Sequence, residues 1–472
     1  MKLTLGEISA ILGSRTSTPD KPVLGYSIDS RTISPGQLFF AIRGPRFDGH
    51  DFVAQAIERG AVGAVVNKTF AAQGAVSLAS SLLAVPDPTR ALQDLALAVR
   101  RKWGRSVVAI TGSAGKTTTK ELTAAALAPR FSVLKTQGNL NNYYGLPLTL
   151  LRLETSHEVA VVELAMSAAG EIALLARICE PQCGVVTNVA PVHLQFFDSV
   201  DSIARAKREL IESLVPPSTA VLNHDDPRVR KFAENFDGRV VTFGFNAGAA
   251  FRGANYVSLP DSGSRFSVKG RIFEREFTIP LPGRHNVLNA LAAIAVARAF
   301  EVPPNSIAQA LAAPLELHQR NEILALPGGI TVVNDCYNSN PLAMEQMLET
   351  VAAWPRARRR IVVAGAMLEL GPASPNLHRD IGRLCAKNRV DLLLGVSGDA
   401  RYFVEGAVEA GLKNMAEFFE TPEEAAQRCL TLLEPGDVVL VKGSRGVHLE
   451  KVIELLQKSS QVLAARAERM SD

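Results

Sequence analysis

Short, wholly apolar runs alternate along this chain with longer stretches of helical period, and the rhythm starts afresh after two breaks. In the first hundred residues the runs 62–66 and 81–85 read as strands, and 88–101 reads as an amphipathic helix. A first break falls near Lys102-Trp103-Gly104. Beyond Arg105 the runs 107–110, 159–164, 184–189 and 220–222 lack polar alternation, which suits parallel strands buried on both faces. Residues 266–279 do alternate and predict an antiparallel hairpin appended to that sheet, followed by an Ala-rich helix over 286–299. A second break lies near Ala312-Ala313-Pro314, after which strand candidates recur at 331–333, 361–364, 392–394 and 438–441 with helical stretches between them. The pattern predicts an α/β chain of three domains: a small α/β domain over 1–103, a central P-loop ATPase-like domain with a mostly parallel sheet over 104–313, and a Rossmann-like doubly wound domain over 314–472. There is no internal repeat and no low-complexity tract.

One junction in this pattern carries chemistry. The run Val107-Val108-Ala109-Ile110 ends in Thr111-Gly112-Ser113-Ala114-Gly115-Lys116-Thr117-Thr118, and a helical pattern follows. Strand, Gly-rich loop and helix make a phosphate cradle, in which loop N–H groups and the positive helix end face the phosphates. Lys116 is placed to reach the β/γ-phosphates and Thr117 to hold Mg²⁺. The common phosphate loop has a further Gly five residues before Gly115, where this chain has Ile110. The short form argues against the usual GTPase or kinase assignment; without a ligand the same segment would serve only as a turn capping a helix.

Composition narrows the picture further. A chain of 472 residues exceeds one ordinary core, and 47% hydrophobic with 21% charged residues is the balance of a globular protein. The 51 basic and 47 acidic residues nearly cancel, so no nucleic-acid surface is expected, and the cluster Arg356-Ala357-Arg358-Arg359-Arg360 reads as a solvated turn before a strand. No apolar leader core and no 18-residue apolar run are present, so a cytoplasmic protein without membrane insertion is expected. The five cysteines are odd in number and dispersed, which predicts buried free thiols rather than disulfides or a zinc site.

Other polar residues sit where strands are predicted to end, the place where open α/β sheets build sites. Glu163 there is a metal ligand or a helix-cap carboxylate, and His193 a metal or phosphate ligand or a structural histidine. Lys207 lies on a helix, where a solvated face is the default. The amide-rich loop 136–145 binds a polar substrate or is a self-bonded Asx loop. The segments 283–289 and 334–341 either read a base and sugar or supply caps and turns. No Ser-His-Asp or Cys-His set is legible, which leaves phosphoryl chemistry by positioning and electrostatics.

Taken in order, these segments resemble the Mur ligase family, ATP-dependent amide-forming enzymes of bacterial peptidoglycan synthesis. The resemblance runs through Asp29-Ser30-Arg31, Pro35 to Ala41, Phe47-Asp48-Gly49-His50, Gly112 to Thr118, Glu163, Asn188 to His193, Ala206-Lys207, His285 to Asn289, Arg320 and Lys442-Gly443-Ser444-Arg445. The stretches Gly115 to Glu121, Gly170-Glu171-Ile172, Tyr337 to Pro341 and Met367-Leu368-Glu369-Leu370-Gly371 resemble the branch that adds D-alanyl-D-alanine to UDP-N-acetylmuramoyl-tripeptide, the last two most specifically.

That resemblance implies two steps: ATP phosphorylates the tripeptide carboxylate, and the dipeptide amine displaces phosphate from the acyl phosphate. It implies ATP bound by Gly112, Ser113, Ala114, Gly115, Lys116, Thr117 and Thr118, with Asn289 at the adenine, Asp335 at the ribose and Arg320 at the γ-phosphate. Two Mg²⁺ ions are implied, one on Thr117 and Glu163, the other on His193 and a carbamylated Lys207. Lys116, Lys207, His193 and Arg320 form the implied catalytic set. Ser30 and Arg31 would anchor the uridine diphosphate on the first domain, with Asn338 and Asn340 near the dipeptide. The chain is expected to act as a monomer.

The chain departs from the branch pattern at Asn334, where an Asp is usual, at Ala366 for an Asp, and at Ala165 for a Gly. Another Mur step or folylpolyglutamate synthase is the enzymatic alternative, and the branch-specific segments argue against it. A degenerate nucleotide-binding scaffold would be expected to lose Lys116, Glu163, His193 or Lys207, and all four are present. A GTPase would need a guanine reader of the Asn-Lys-x-Asp type, which the sequence lacks.

Overall fold

The computed structural model describes residues 1–73, 81–259, 263–270, 273–315 and 317–459. Three α/β domains follow one another, each built on its own sheet. Four parallel strands, Gly25–Ser27, Gln37–Phe40, Gly63–Asn67 and Leu82–Val85, form the first in that order. The helix Pro88–Trp103 then leads to the central sheet. It starts on Asp87, whose carboxylate accepts from Thr89 and Arg90 N–H groups, and stops on left-handed Gly104.

The central sheet has nine strands. From one edge they run Val133–Lys135, Val159–Glu163, Ser106–Thr111, Cys183–Val186, Thr219–Asn223, Arg239–Gly244 and Phe251–Leu259, all parallel, then Gly263–Gly270 and Glu274–Ile279, antiparallel. The predicted hairpin is therefore the outer pair of an antiparallel extension. The continuous apolar runs follow from burial on both faces. Val107 and Ala109 pack with Leu92, Val99 and Leu175 on one side, while Val108 and Ile110 pack with Leu122, Leu291 and Ile294 on the other.

The last sheet has six strands in the order Glu322–Leu326, Ile330–Asn334, Val438–Lys442, Arg360–Gly365, Leu392–Val396 and Ala416–Phe419, parallel except for the first. The arginine cluster before it is not a merely solvated turn. Arg358 pairs with Glu434, and Arg359 pairs with Asp437 at 2.7 Å, whose side chain is fully buried. All five cysteines are free and buried.

Strand order positions the site. From Ser106–Thr111 the chain crosses to the Val133–Lys135 edge, returns beside the starting strand as Val159–Glu163, and next adds Cys183–Val186 on the opposite side. The C-terminal end of Ser106–Thr111 is thus a topological switch point, where such sheets leave a crevice for ligands.

Candidate active site

The loop after Ser106–Thr111 is shaped by its glycines. Gly115 has φ +77°, and a Cβ there would lie 2.4 Å from Asn289 Oδ1; a Cβ on Gly112 would lie 1.8 Å from Thr187 Oγ1. Strand-end residues brace the loop. Ala114 N–H donates to Asn188 Oδ1 at 2.8 Å, Ala190 N–H donates to Ser113 Oγ at 2.9 Å, and Thr187 Oγ1 donates to Ala114 O at 2.7 Å. Gly115 caps helix Lys116–Leu127 without a side chain. First-turn N–H groups therefore stay open, as a phosphate requires.

Thr119 is buried away from the cavity and Thr118 is buried at its edge, which leaves Thr117 the more open hydroxyl. Its Oγ1 donates to Glu163 Oε2 at 2.8 Å, and Asn141 Nδ2 donates to Glu163 Oε1 at 2.9 Å. Glu163 is 2% exposed, and its hydrogen-bond partners are all neutral. A buried carboxylate held this way beside a hydroxyl is a donor set for a hard cation. Among the described residues no three His, Cys, Asp or Glu side chains cluster as a closed metal site, so substrate oxygens and water would have to complete any Mg²⁺ shell.

Lys116 donates from Nζ to Gly112 O at 2.7 Å, and burial with Arg320 nearby pushes its pKa down. Lys207 corrects the solvated-face expectation. It is 2% exposed, with no hydrogen bond or ion pair among the described residues, and burial with the Lys116 charge holds its pKa well below the usual lysine value. Burial of this kind favours the uncharged form of an amine, the form that reacts with CO₂. His193 Nδ1 is 2.5 Å from Glu369 Oε2, and burial outweighs that carboxylate in lowering its pKa.

The third domain closes the cavity. Arg320 stacks over the Tyr337 ring at 4.1 Å, and Arg445 lies 5.5 Å from the same ring. Lys442 donates to Asp335 Oδ2 at 2.6 Å and to Asn338 O at 3.0 Å. His285, enclosed close to Asp335 and Lys442, has its pKa pushed down to about 4 by burial.

One cavity of about 230 Å³ gathers Ser113 to Thr118, Glu163, His193, Asn289, Arg320, Asp335, Asn338 and Asn340. Gly112 and Lys207 do not line it. Ser30 and Arg31 are not brought to it: Ser30 donates to Gln55 Oε1 at 2.8 Å, and Arg31 pairs with Asp29 on the first domain. Asn289 bonds Thr119 and Asn286, and Asn340 Oδ1 caps the helix Pro341–Ala352, so capping chemistry accounts for part of both segments. The amide-rich loop divides likewise. Asn142 Oδ1 accepts from Tyr144 and Gly145 N–H groups as an Asx turn, whereas Asn141 serves Glu163. Asn141, Tyr337 and Lys442 are site residues that sequence reasoning did not single out. Their signal was membership of the loop 136–145 and of the segments 337–341 and 442–445.

Three family models match: Mur ligase family, catalytic domain, over 22–137; Mur ligase middle domain over 110–297; and Mur ligase, glutamate ligase domain, over 319–445. The UDP-N-acetylmuramoyl-tripeptide–D-alanyl-D-alanine ligase of Bacillus subtilis (strain 168) is 32% identical over 462 residues, covering 97% of this chain and 99% of the relative. The enzyme of that name from Synechocystis sp. is 34% identical over 469 residues, covering 96% and 98%. A crystal structure of MurF from Acinetobacter baumannii superposes with TM-score 0.88 at 29% identity, covering 97% and 99% of the two chains. MurF ligase from Thermotoga maritima, solved in complex with ADP, superposes with TM-score 0.82 at 28% identity, covering 93% and 98%.

Proposed function

The chain belongs to the Mur ligase family, and we infer that it joins D-alanyl-D-alanine to UDP-N-acetylmuramoyl-tripeptide by an ATP-dependent ligation that completes the pentapeptide precursor of peptidoglycan. The observation that carries this reading is the single cavity in which the phosphate loop, the Thr117–Glu163 pair and Arg320 of the third domain converge.

The chemistry follows from the charges. A carboxylate is a poor electrophile and must first gain a leaving group. Its oxygen attacks the γ-phosphorus of ATP, the bond to the β,γ-bridging oxygen breaks, and ADP leaves with an acyl phosphate formed. The dipeptide amine adds to the acyl carbon, the tetrahedral adduct expels phosphate, and the amine proton passes to solvent or phosphate. Both steps bring anions together, and Lys116 and Arg320 supply fixed positive charge where negative charge develops. The open N–H groups of helix Lys116–Leu127 orient the phosphates.

The Thr117–Glu163 set fits one Mg²⁺ ion and His193 a second. Bound Mg²⁺ would neutralise phosphate charge and polarise the transferred phosphoryl group. Burial of Lys207, which holds its pKa well below the usual lysine value, supports carbamylation, which would turn the side chain into a carboxylate-like ligand beside His193. Asp335, half committed to Lys442, keeps lone pairs for the ribose; Asn289, proposed for the adenine, packs against Gly115 and Thr119 of the phosphate loop and its helix. Ser30 and Arg31 are the proposed uridine-diphosphate anchor, on a first domain that ends by residue 103, with the second boundary near 313; Asn338 and Asn340 approach the dipeptide. Free buried thiols and nucleotide substrates support a cytoplasmic place, and no helix among the described residues is long and apolar enough to cross a membrane. A monomer is the proposed state.

The test is phosphate release by purified protein given ATP, UDP-muramoyl-tripeptide and D-alanyl-D-alanine. Release should require all three. Release that ignores the dipeptide, or that occurs only with another amine, would sink the assignment. Lys207→Ala should be inactive, and small carboxylic acids should restore part of the rate; full activity in that variant would reject the carbamate.

A further inference from the structure

The segment Met367-Leu368-Glu369-Leu370-Gly371 is not used by the mechanism above, yet it is held with unusual care. Met367 N–H donates to Nε2 of the fully buried His378 at 2.9 Å, and Leu368 N–H donates to Ser444 Oγ at 2.9 Å. His378 Nδ1 is in turn bonded to Ser374 O at 2.7 Å, which fixes the ring. The loop so pinned presents Glu369 with φ +64°, a left-handed conformation that is strained for a non-glycine residue. The central domain answers with His193, also left-handed at φ +55°. Two bonds cross between the domains: Glu369 Oε2 to His193 Nδ1 at 2.5 Å, and Gln195 N–H to Glu369 O at 3.1 Å. A Cβ on Gly371 would come within 3.3 Å of Gln195 Cα, so the loops are in contact along their length.

A rim ion pair between partly exposed side chains contributes little to stability and would need no such scaffolding. Strained backbone on both partners persists only where the surroundings over-determine it, and such places cluster at functional sites. A histidine that ligates a metal through one nitrogen usually donates the other ring N–H to a carboxylate, which fixes its tautomer and orientation. With Nδ1 committed to Glu369, only Nε2 of His193 is left to ligate.

We propose that Glu369 is the positioning carboxylate of His193, contributed by the third domain, so that the second metal site of the central domain is oriented only while the third domain is seated on it. This rests on His193 being a metal ligand, as under the proposed function. The metal site would thus sense closure through one side chain. A carboxylate loop, rather than the nucleotide alone, would link the two domains.

The experiment uses the full chain with Mn²⁺ as the probe and a non-hydrolysable ATP analogue, in Glu369→Ala and Glu369→Gln. Glu369→Ala should weaken one of two Mn²⁺ sites about 10–100-fold, leave the other unchanged, and speed amide exchange over residues 193–197 in the ligand-free protein. Glu369→Gln should keep most of the wild-type behaviour, because its amide oxygen accepts the same Nδ1–H. The proposal is overturned if Glu369→Ala leaves both Mn²⁺ sites and the exchange unaltered, if Glu369→Gln is as damaging as Glu369→Ala, or if the wild type binds a single Mn²⁺. None of these readouts involves the dipeptide, so they fail or succeed independently of the acceptor assay.

Discussion

Lys442→Met is the substitution whose consequence the structure defines most fully. Lys442 is 2% exposed at the end of a central strand, and its Nζ lies 2.6 Å from an Asp335 carboxylate that is 12% exposed. At that separation the gross attraction is about 6 kcal/mol with an effective dielectric of about 20. Desolvation of both ions offsets much of this, but removing one partner leaves the other charge buried and alone, which costs about 3–5 kcal/mol. The third domain should then melt roughly 6–20 °C lower. Because a multidomain chain need not unfold in one step, the probe must report on that domain alone. The chain has two tryptophans, and Trp354 lies in the third domain at 5% exposure, so a Trp103→Phe background makes its fluorescence specific. Lys442→Met should shift the Trp354 transition by the stated amount, and Lys442→Met with Asp335→Leu should recover most of it, since both charges are then gone. Lys442 also tethers Asn338 O at 3.0 Å, so the single variant should raise the KM for ATP by loosening the loop that carries Tyr337 beneath Arg320. A single variant within about 1 kcal/mol of wild type, or a double variant as unstable as the two singles summed, would refute the reasoning.

Gly115→Ala places a Cβ 2.4 Å from Asn289 Oδ1 at φ +77°, and the left-handed backbone alone costs about 1–2 kcal/mol; nucleotide affinity, read with a fluorescent ADP analogue, should fall about tenfold or more, and a change under twofold would contradict the cradle geometry. His285 has its pKa pushed down to about 4 from the 6.5 of an unfolded chain. The unfolded state therefore binds more protons between those values, and this group's contribution to stability is complete above pH 6.5 and lost as pH falls to about 4, a loss of about 3 kcal/mol. Denaturant titrations should show that slope in wild type and its disappearance in His285→Gln; equal slopes would refute it.

Much of this architecture was legible because the informative signals are local. A strand, a Gly-rich loop and a helix lie within the fifteen or so residues from Val107 onward, and burial on both faces writes itself as an unbroken apolar run. Strands at the margins were harder to read. Glu322–Leu326 and Ala416–Phe419 are edge strands of intermediate burial, so neither a continuous run nor a clean alternation marks them. Arg239–Gly244 starts with two exposed residues, one of them the apolar Val240, and carries Thr242 in its middle, so its buried positions do not stand out as an apolar run.

The site divides along the same line. Thr117 and the phosphate loop are contiguous and could be read directly. Glu163 and His193 could be placed only as strand-end residues with two meanings each, and the structure brings Thr117 and Asn141 within hydrogen-bond range of Glu163, and Glu369 within range of His193. Lys207 shows why local reading fails in principle. Its helix, Val200–Glu212, carries charges on several sides, and nothing in that stretch tells that Lys207 faces the core beside Lys116. Likewise Asp335 and Lys442 lie 107 residues apart, and Glu369 and His193 lie 176 apart. Their pairing exists only because parallel strands bring distant loops to one end of a sheet, and because the third domain sits over the central one. What distinguishes this site from a generic nucleotide fold is therefore the part contributed across domains: Arg320 on Tyr337, Lys442 on Asp335 and Glu369 on His193. A ligase that must hold an acyl phosphate away from water until an amine arrives gains from that arrangement, since the groups for each anion converge only in the assembled cavity.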